Sequence, residues 1–207
     1  MLTVELRNKR IKELAAQSEG CRKVPIVLAG YGIRFVIIEH LSGSRMDGAA
    51  LWLSPDSAVV ALSIRFDRID AFWFALLHEF AHIVNGDAST DADLVGDGAT
   101  PSEAKSEIER RADEMAANIL IPQQKLQSFI VRVGPLYSRQ RINQFAHVVK
   151  VHPGIVVGQL YFRGEVPWEA HRNVLAKVRS LMRHIRRDDV RDGRAARQRS
   201  IVTARER

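Results

Sequence analysis

The sequence predicts an α+β fold: a small, mostly antiparallel three-stranded sheet packed on a helical bundle, with one apolar helix at its centre. Three observations predict it. Strand-like apolar runs cluster within residues 33–64, and from residue 67 the hydrophobic period becomes helical. The chain has 207 residues, enough for one compact core with appendages but hardly for two.

Residues 2–17 place Leu2, Leu6, Ile11, Leu14 and Ala15 at roughly helical spacing, and Gly20 ends the run. The run 33–39 (IRFVIIE) is β-branched and nearly continuous, as expected of a strand buried on both faces. Strands 49–53 and 57–64 follow, joined by the turn signal Ser54-Pro55-Asp56. Asp67 or Asp70 can then cap a helix running to about Val84, with Phe72, Leu76, Phe80 and Ile83 on one stripe and Asn85-Gly86 as its stop. Residues 86–102 are acidic and aperiodic, which reads as a solvated loop. Pro101 and Ser102 start a second helix to about Leu120, and Pro122 starts another. Residues 137–149 form a further amphipathic helix. His152-Pro153-Gly154 precedes a core segment at 155–162, and residues 168–185 read as a final helix. The expected organisation is an N-terminal helical appendage at 1–23, a main domain at 24–165, a C-terminal helix at 166–187 and a basic, disordered tail at 188–207.

Charge partitions along the same lines. Of 31 basic and 24 acidic side chains, residues 177–207 hold 11 and 4, which leaves 20 of each sign in the first 176 residues. The body is neutral and the tail carries the whole excess of +7. Arg183, Arg186, Arg187 and Arg191 are the candidate nucleic-acid contacts, so any DNA contact is expected through the tail alone; no aromatic residue is interleaved there for base stacking. A single cysteine, Cys21, excludes an intrachain disulfide or a cysteine-based metal site and suits a cytoplasmic protein. The charged N-terminus does not read as a signal peptide, and the longest near-apolar stretch, 71–77, is too short to span a bilayer, so no membrane partner is expected.

The chemistry lies in His78-Glu79-Phe80-Ala81-His82, an H-E-x-x-H inside the central helix. A four-residue spacing puts both imidazoles on one helix face, where they can hold a single metal ion. Glu79 is rotated by about 100° from His78. It therefore sits beside the metal as a candidate general base rather than as a ligand. Imidazole and carboxylate donors around a redox-silent, four-coordinate ion select Zn2+, one per chain. The third ligand is sought on the second helix among Glu103, Glu107, Glu109, Asp113 and Glu114. With Ile108, Met115 and Ile119 as the deep core stripe, Glu109 lies beside it on the face of Ala112 and Ala116. Glu107 and Glu114 fall towards solvent. Asp113 is the alternative ligand, or the partner that fixes a histidine tautomer. Tyr137, His147, His152 and Tyr161 are candidate donors to a developing oxyanion, and strand 57–64 is the candidate edge for adding an extended peptide.

The motif H-E-F-A-H, followed by E-R-R-A-D-E-M-A-A-N-I-L-I-P at 109–122, resembles the ImmA/IrrE family of metallo-endopeptidase-like domains. G-A-A-L-W-L at 48–53, I-R-F-D-R-I-D at 64–70 and H-P-G-I-V-V-G at 152–158 are similar to the version fused to HigA-like antitoxin repressors. The resemblance spans roughly residues 30–165. It implies a zincin-like arrangement, ligands His78, His82 and Glu109, Glu79 as general base, and a protein substrate such as a helix-turn-helix repressor or antitoxin. Met115 stands where that family usually has Phe. Residues 1–23 read as one helix where the subgroup carries a helix-turn-helix. Two function classes follow: a zinc endopeptidase of narrow specificity, or a non-catalytic metal-binding module of a toxin–antitoxin or stress-response transcription system. The intact Glu79 favours the first, because a purely structural site has no use for it.

Overall fold

A computed structural model describes residues 4–40, 43, 46–55, 57–88 and 107–182. The fold is α+β, with a three-stranded mixed sheet and eight α-helices among the described residues. Helix α1 (Val4–Leu14) leads through a 3-10 turn at Ser18–Lys23 into α2 (Val24–Gly30). The sequence reading assigned nothing to α2. Its seven residues are too few for a readable period, although Pro25 in its first turn is a start signal. Strand β1 (Ile33–Ile37) follows, then β2 (Gly48–Ser54) and β3 (Ser57–Leu62).

The sheet corrects the expectation of a mostly antiparallel arrangement. Its order is β1-β3-β2: β2 pairs antiparallel with β3 and β1 pairs parallel with it, with Ile33 opposite Ala58 and Gly48 opposite Leu62. A tight turn after β1 would have paired it with β2. The longer connection at 38–47 leaves room for β3 between them, about two inter-strand spacings. The strand buried on both faces is therefore the central β3, whereas β1 alternates between buried and open positions as an edge strand does.

Helix α3 (Ile69–Asn85) lies on this sheet and is buried almost all round, with Trp73, Leu76, Leu77, Phe80 and Ala81 fully enclosed. Neither Asp67 nor Asp70 caps it. Arg68 occupies the N-cap position in extended conformation, and Asp70 instead pairs with the Arg68 guanidinium. Asp67 accepts hydrogen bonds from the backbone N–H groups of Val178 and Arg179. The helix stops at Gly86, whose left-handed φ of 75° suits glycine. Helix α4 (Glu107–Leu120) packs along α3, and α5 (Gln123–Val133), α6 (Arg139–Val149) and α7 (Pro153–Phe162) complete the bundle.

Of the expected final helix at 168–185, residues 168–182 instead form turns, a 3-10 turn at Arg172–Val174 and a short α8 (Arg179–Met182), and residues 183–185 lie outside the described residues. Tertiary bonds override helical propensity here. The Ala176 carbonyl accepts from the Ile69 N–H, Asp67 holds the start of α8, and Val174, Val178 and Met182 are drawn into the core. Ile11 and Ala15 from the N-terminal region join the same core, so both terminal segments pack on the main body. Pro101, Ser102 and most of the acidic stretch 86–102 lie outside the described residues, as do Arg183, Arg186, Arg187, Arg191 and the tail. No described helix is long and apolar enough to cross a membrane.

Cys21 is fully buried, its thiol donates to the Ser18 carbonyl, and burial pushes its pKa up to about 11. At pH 8 the reactive thiolate is then about one part in a thousand. The folded protein is expected to resist thiol reagents, with labelling rising through the same denaturant midpoint as loss of circular dichroism. Native labelling as fast as that of a free thiol would contradict this packing.

Candidate metal centre

Helix α3 carries His78 and His82 one turn apart, and α4 lies against them with Glu109 and Asp113, also one turn apart. Ala112 and Ala116 are fully buried on that stripe of α4. The three atoms His78 Nε2, His82 Nε2 and a Glu109 carboxylate oxygen converge. The two Nε2 atoms are 3.1 Å apart, and Glu109 lies 3.2 Å from His78 and 3.6 Å from His82. These three side chains could hold a metal ion.

The other nitrogen of each ring decides what the converging atoms can do. His78 Nδ1 is 2.9 Å from Asp113 Oδ1, and His82 Nδ1 is 2.9 Å from Asp87 Oδ1. A carboxylate accepts, so each Nδ1 carries the proton and donates, which in a neutral imidazole leaves Nε2 as a lone pair. Two such lone pairs and a carboxylate facing one point form a set of acceptors that a cation satisfies. The carboxylate–histidine pairing is also the usual way of orienting metal-binding imidazoles. In the metal-free chain burial disfavours a charged His78, but the hydrogen bond to Asp113 and the charges of Glu79, Asp113 and Glu109 outweigh it, so its pKa rises.

Asp87 is the residue that sequence reasoning missed, having read it as part of a solvated acidic loop. The left-handed turn at Gly86 folds the chain back so that the N–H groups of Asp87 and Ala88 both reach the His82 carbonyl. The Asp87 carboxylate then meets His82 on one side and the Arg111 guanidinium of α4 on the other. Burial opposes its ionisation, yet the bonds from Arg111 and His82 hold it below the usual carboxylate range. The available signal was slight: an Asp immediately after the Asn-Gly helix stop, five residues past the second histidine.

Glu79 is on the neighbouring face of α3, only 8% exposed. It packs against the backbone of β2: a Cβ on Gly48 would lie 2.7 Å from Glu79 Oε1 and 2.8 Å from its Cγ. Burial pushes its carboxyl up to about 7, with the charges of Glu109 and Asp47 adding to the rise and His78 opposing it. His78, Glu79, Glu109 and Asp113 all line a cavity of about 1200 Å³ between α3, α4, the start of β2 and the segment leading into α3.

The remaining expectations divide. Glu109, selected by periodicity, joins the converging set, and Asp113, the alternative ligand or tautomer partner, pairs with His78 Nδ1 instead. The buried stripe of α4, however, is Ala112, Ala116 and Leu120, whereas Ile108 is 45% exposed and Met115 and Ile119 only half-buried. Small residues occupy the contact because the helices lie close. Glu107 and Glu114 are exposed and share Arg110, and Glu103 lies outside the described residues. None of the four suggested oxyanion donors lines the cavity. Tyr137 donates to Glu165, Tyr161 donates to the Ala170 carbonyl, His152 caps α7 by accepting from the Gly154 N–H, and His147 is exposed in the last turn of α6. Strand β3 cannot take an added peptide because both its edges are paired; β2 is the edge strand that meets the cavity, at Gly48.

Two outcomes follow for the centre. Asp87→Asn keeps the shape but removes the charge that fixes His82, so metal affinity measured by competitive chelation should fall about 10–100-fold; unchanged affinity would remove Asp87 from the centre. In the metal-free protein, Glu79 has a folded pKa near 7, above its ordinary 4.5, so folding takes up a proton between those values. The Glu79 contribution to stability should therefore fall as pH rises from 4.5 to 7 and be level above, while the raised pKa of His78 adds a decline beyond its ordinary 6.5. Glu79→Gln should remove about 3 kcal/mol of the first decline in denaturant titrations. A scan against protein-family models finds no match to this chain, and no curated protein matches it either, so the geometry itself carries the functional assignment.

Proposed function

We propose that this chain is a zinc-dependent endopeptidase acting on one specific protein, such as a helix-turn-helix repressor or antitoxin. The observation that carries the reading is the convergence of His78 Nε2, His82 Nε2 and Glu109 while each Nδ1 is held by its own carboxylate. Two imidazoles and one carboxylate are a donor set used by catalytic zinc, which keeps a fourth position for water or substrate. Zinc held by these residues supplies a Lewis acid that makes water acidic near neutral pH and polarises a carbonyl.

The protein's own groups do the rest. Glu79, walled by Gly48 and buried, accepts a proton from the attacking water and returns it to the leaving nitrogen; its burial, which raises its proton affinity in the metal-free chain, suits it to the first transfer. Asp87 and Asp113 keep the imidazoles in one tautomer. The open edge of β2 suits an extended chain, which would add main-chain hydrogen bonds beside the cavity. The resemblance of 78–82 and 109–122 to the ImmA/IrrE motifs supports a repressor or antitoxin as the substrate.

The test is elemental analysis together with incubation against helix-turn-helix repressors encoded in the same genome. One zinc per chain and a discrete cleavage are expected. Glu79→Gln should lower cleavage by about 10²-fold or more with zinc retained, and His78→Ala or His82→Ala should lose the zinc. Zinc without any cleavage of the bound repressor would instead mark a regulatory metal module, and no metal at all would sink the assignment.

A further inference from the structure

The cavity extends well past the metal centre. Along α3 its floor is Asp70, Ala71, Phe74, Ala75, His78 and Glu79, one face of the helix over more than two turns. At the far end stand two aromatic side chains that are more than half exposed, Phe66 (51%) and Trp168 (59%), and Phe162 (78%) lines the same cavity. Large apolar groups gathered in one cavity and left open to water are the mark of a recognition surface.

This end is ordered in advance. Ile64 and Asp67 both adopt left-handed φ, 47° and 48°, cornering the chain around Phe66 between β3 and α3. The Arg68 guanidinium is 5.5 Å from the Trp168 ring centre, 5.6 Å from Tyr161 and 6.0 Å from Phe66, while Asp70 holds it in place. Trp168 in turn lies 4.8 Å from Tyr161. The cations lining the cavity are already engaged: Arg65 with Asp47, Arg68 with Asp70, Arg110 with Glu107 and Glu114, and Arg163 with Gln123 and Gln127. An acidic side chain entering this end would have to displace an existing partner, whereas an apolar one meets ready ring faces.

The geometry points to a distal specificity subsite for a large apolar or aromatic side chain of an extended substrate, formed by Phe66 and Trp168 around Arg68. This rests on the peptidase reading and deepens it. Ten residues of helix separate Arg68 from His78, about 15 Å. An extended chain covers that distance in about four residues. The selected side chain therefore lies about four positions from the scissile bond, with Phe74, whose ring centre is 6.3 Å from that of His78, bridging the interval.

Tetrapeptide hydroxamates on an alanine background test this, with one position varied among Phe, Ala, Asp and Lys and the hydroxamate at either end in two series. Binding to the zinc-loaded protein is read by calorimetry, with acetohydroxamate as the anchor alone. Phe at the position farthest from the anchor should tighten binding about tenfold or more over Asp in one series. The Phe66→Ala/Trp168→Ala variant should lose that preference while its acetohydroxamate affinity stays the same. Equal affinities across all side chains in both series, with acetohydroxamate binding normally, would overturn the subsite and leave the metal centre standing. Absence of acetohydroxamate binding would overturn both. Concentration-dependent dimerisation lost in the double variant, without side-chain preference, would make the patch a self-association face and also overturn the subsite.

Discussion

Ala112 and Ala116 are fully buried where α4 lies along α3, and with only a methyl group each they allow the two helix backbones a close approach. That approach brings Glu109 within 3.2 Å of His78 and Asp113 within hydrogen-bond reach of the same ring. A larger side chain at either alanine would separate the helices and pull both carboxylates off the histidines together. The position of α3 is itself fixed from the opposite side by the fully buried Trp73, Leu76, Leu77 and Phe80. The centre is thus built between a helix anchored in the core and one that can approach it closely.

Two carboxylates of different origin then fix the electronic state of the two rings. Asp113 comes from the facing helix and shares its rigidity. Asp87 comes from the turn that ends α3, and it depends on Gly86 for its path and on Arg111 for its charge state. The helix that supplies the histidines therefore also supplies, by its manner of ending, one of the groups that orients them, and Arg111 ties that turn back to α4.

What could be read from the sequence is what depends on near neighbours along the chain. His78 and His82 share a face because helix geometry alone puts them there, and Glu109 could be picked from five carboxylates because the alanines beside it marked the contact stripe. The same reasoning misjudged the depth of Ile108, since apolar character does not reveal which side of a short helix meets its neighbour. The parallel pairing of β1, the breaking of the 168–185 segment and the true partners of Tyr137 and Tyr161 each depend on groups brought together from distant parts of the chain. Asp87 is near in sequence yet gives only a slight signal, because its role arises only once the turn at Gly86 has taken its left-handed form.

The contact between Gly48 and Glu79 ties the chemistry to the registration of the sheet. Gly48 stands opposite Leu62 at the end of the β2–β3 ladder, and the missing side chain makes the space that the Glu79 carboxylate fills. Were β2 to slip by one residue against β3, Ala49 or Asp47 would come to that place and bring a methyl group or a second carboxylate against the base. A sheet of three short strands has few other features to forbid such a slip. The same glycine thus acts as an index mark: only one alignment of the hairpin admits the helix with its glutamate in place, so correct strand pairing and a usable base are achieved in a single packing event.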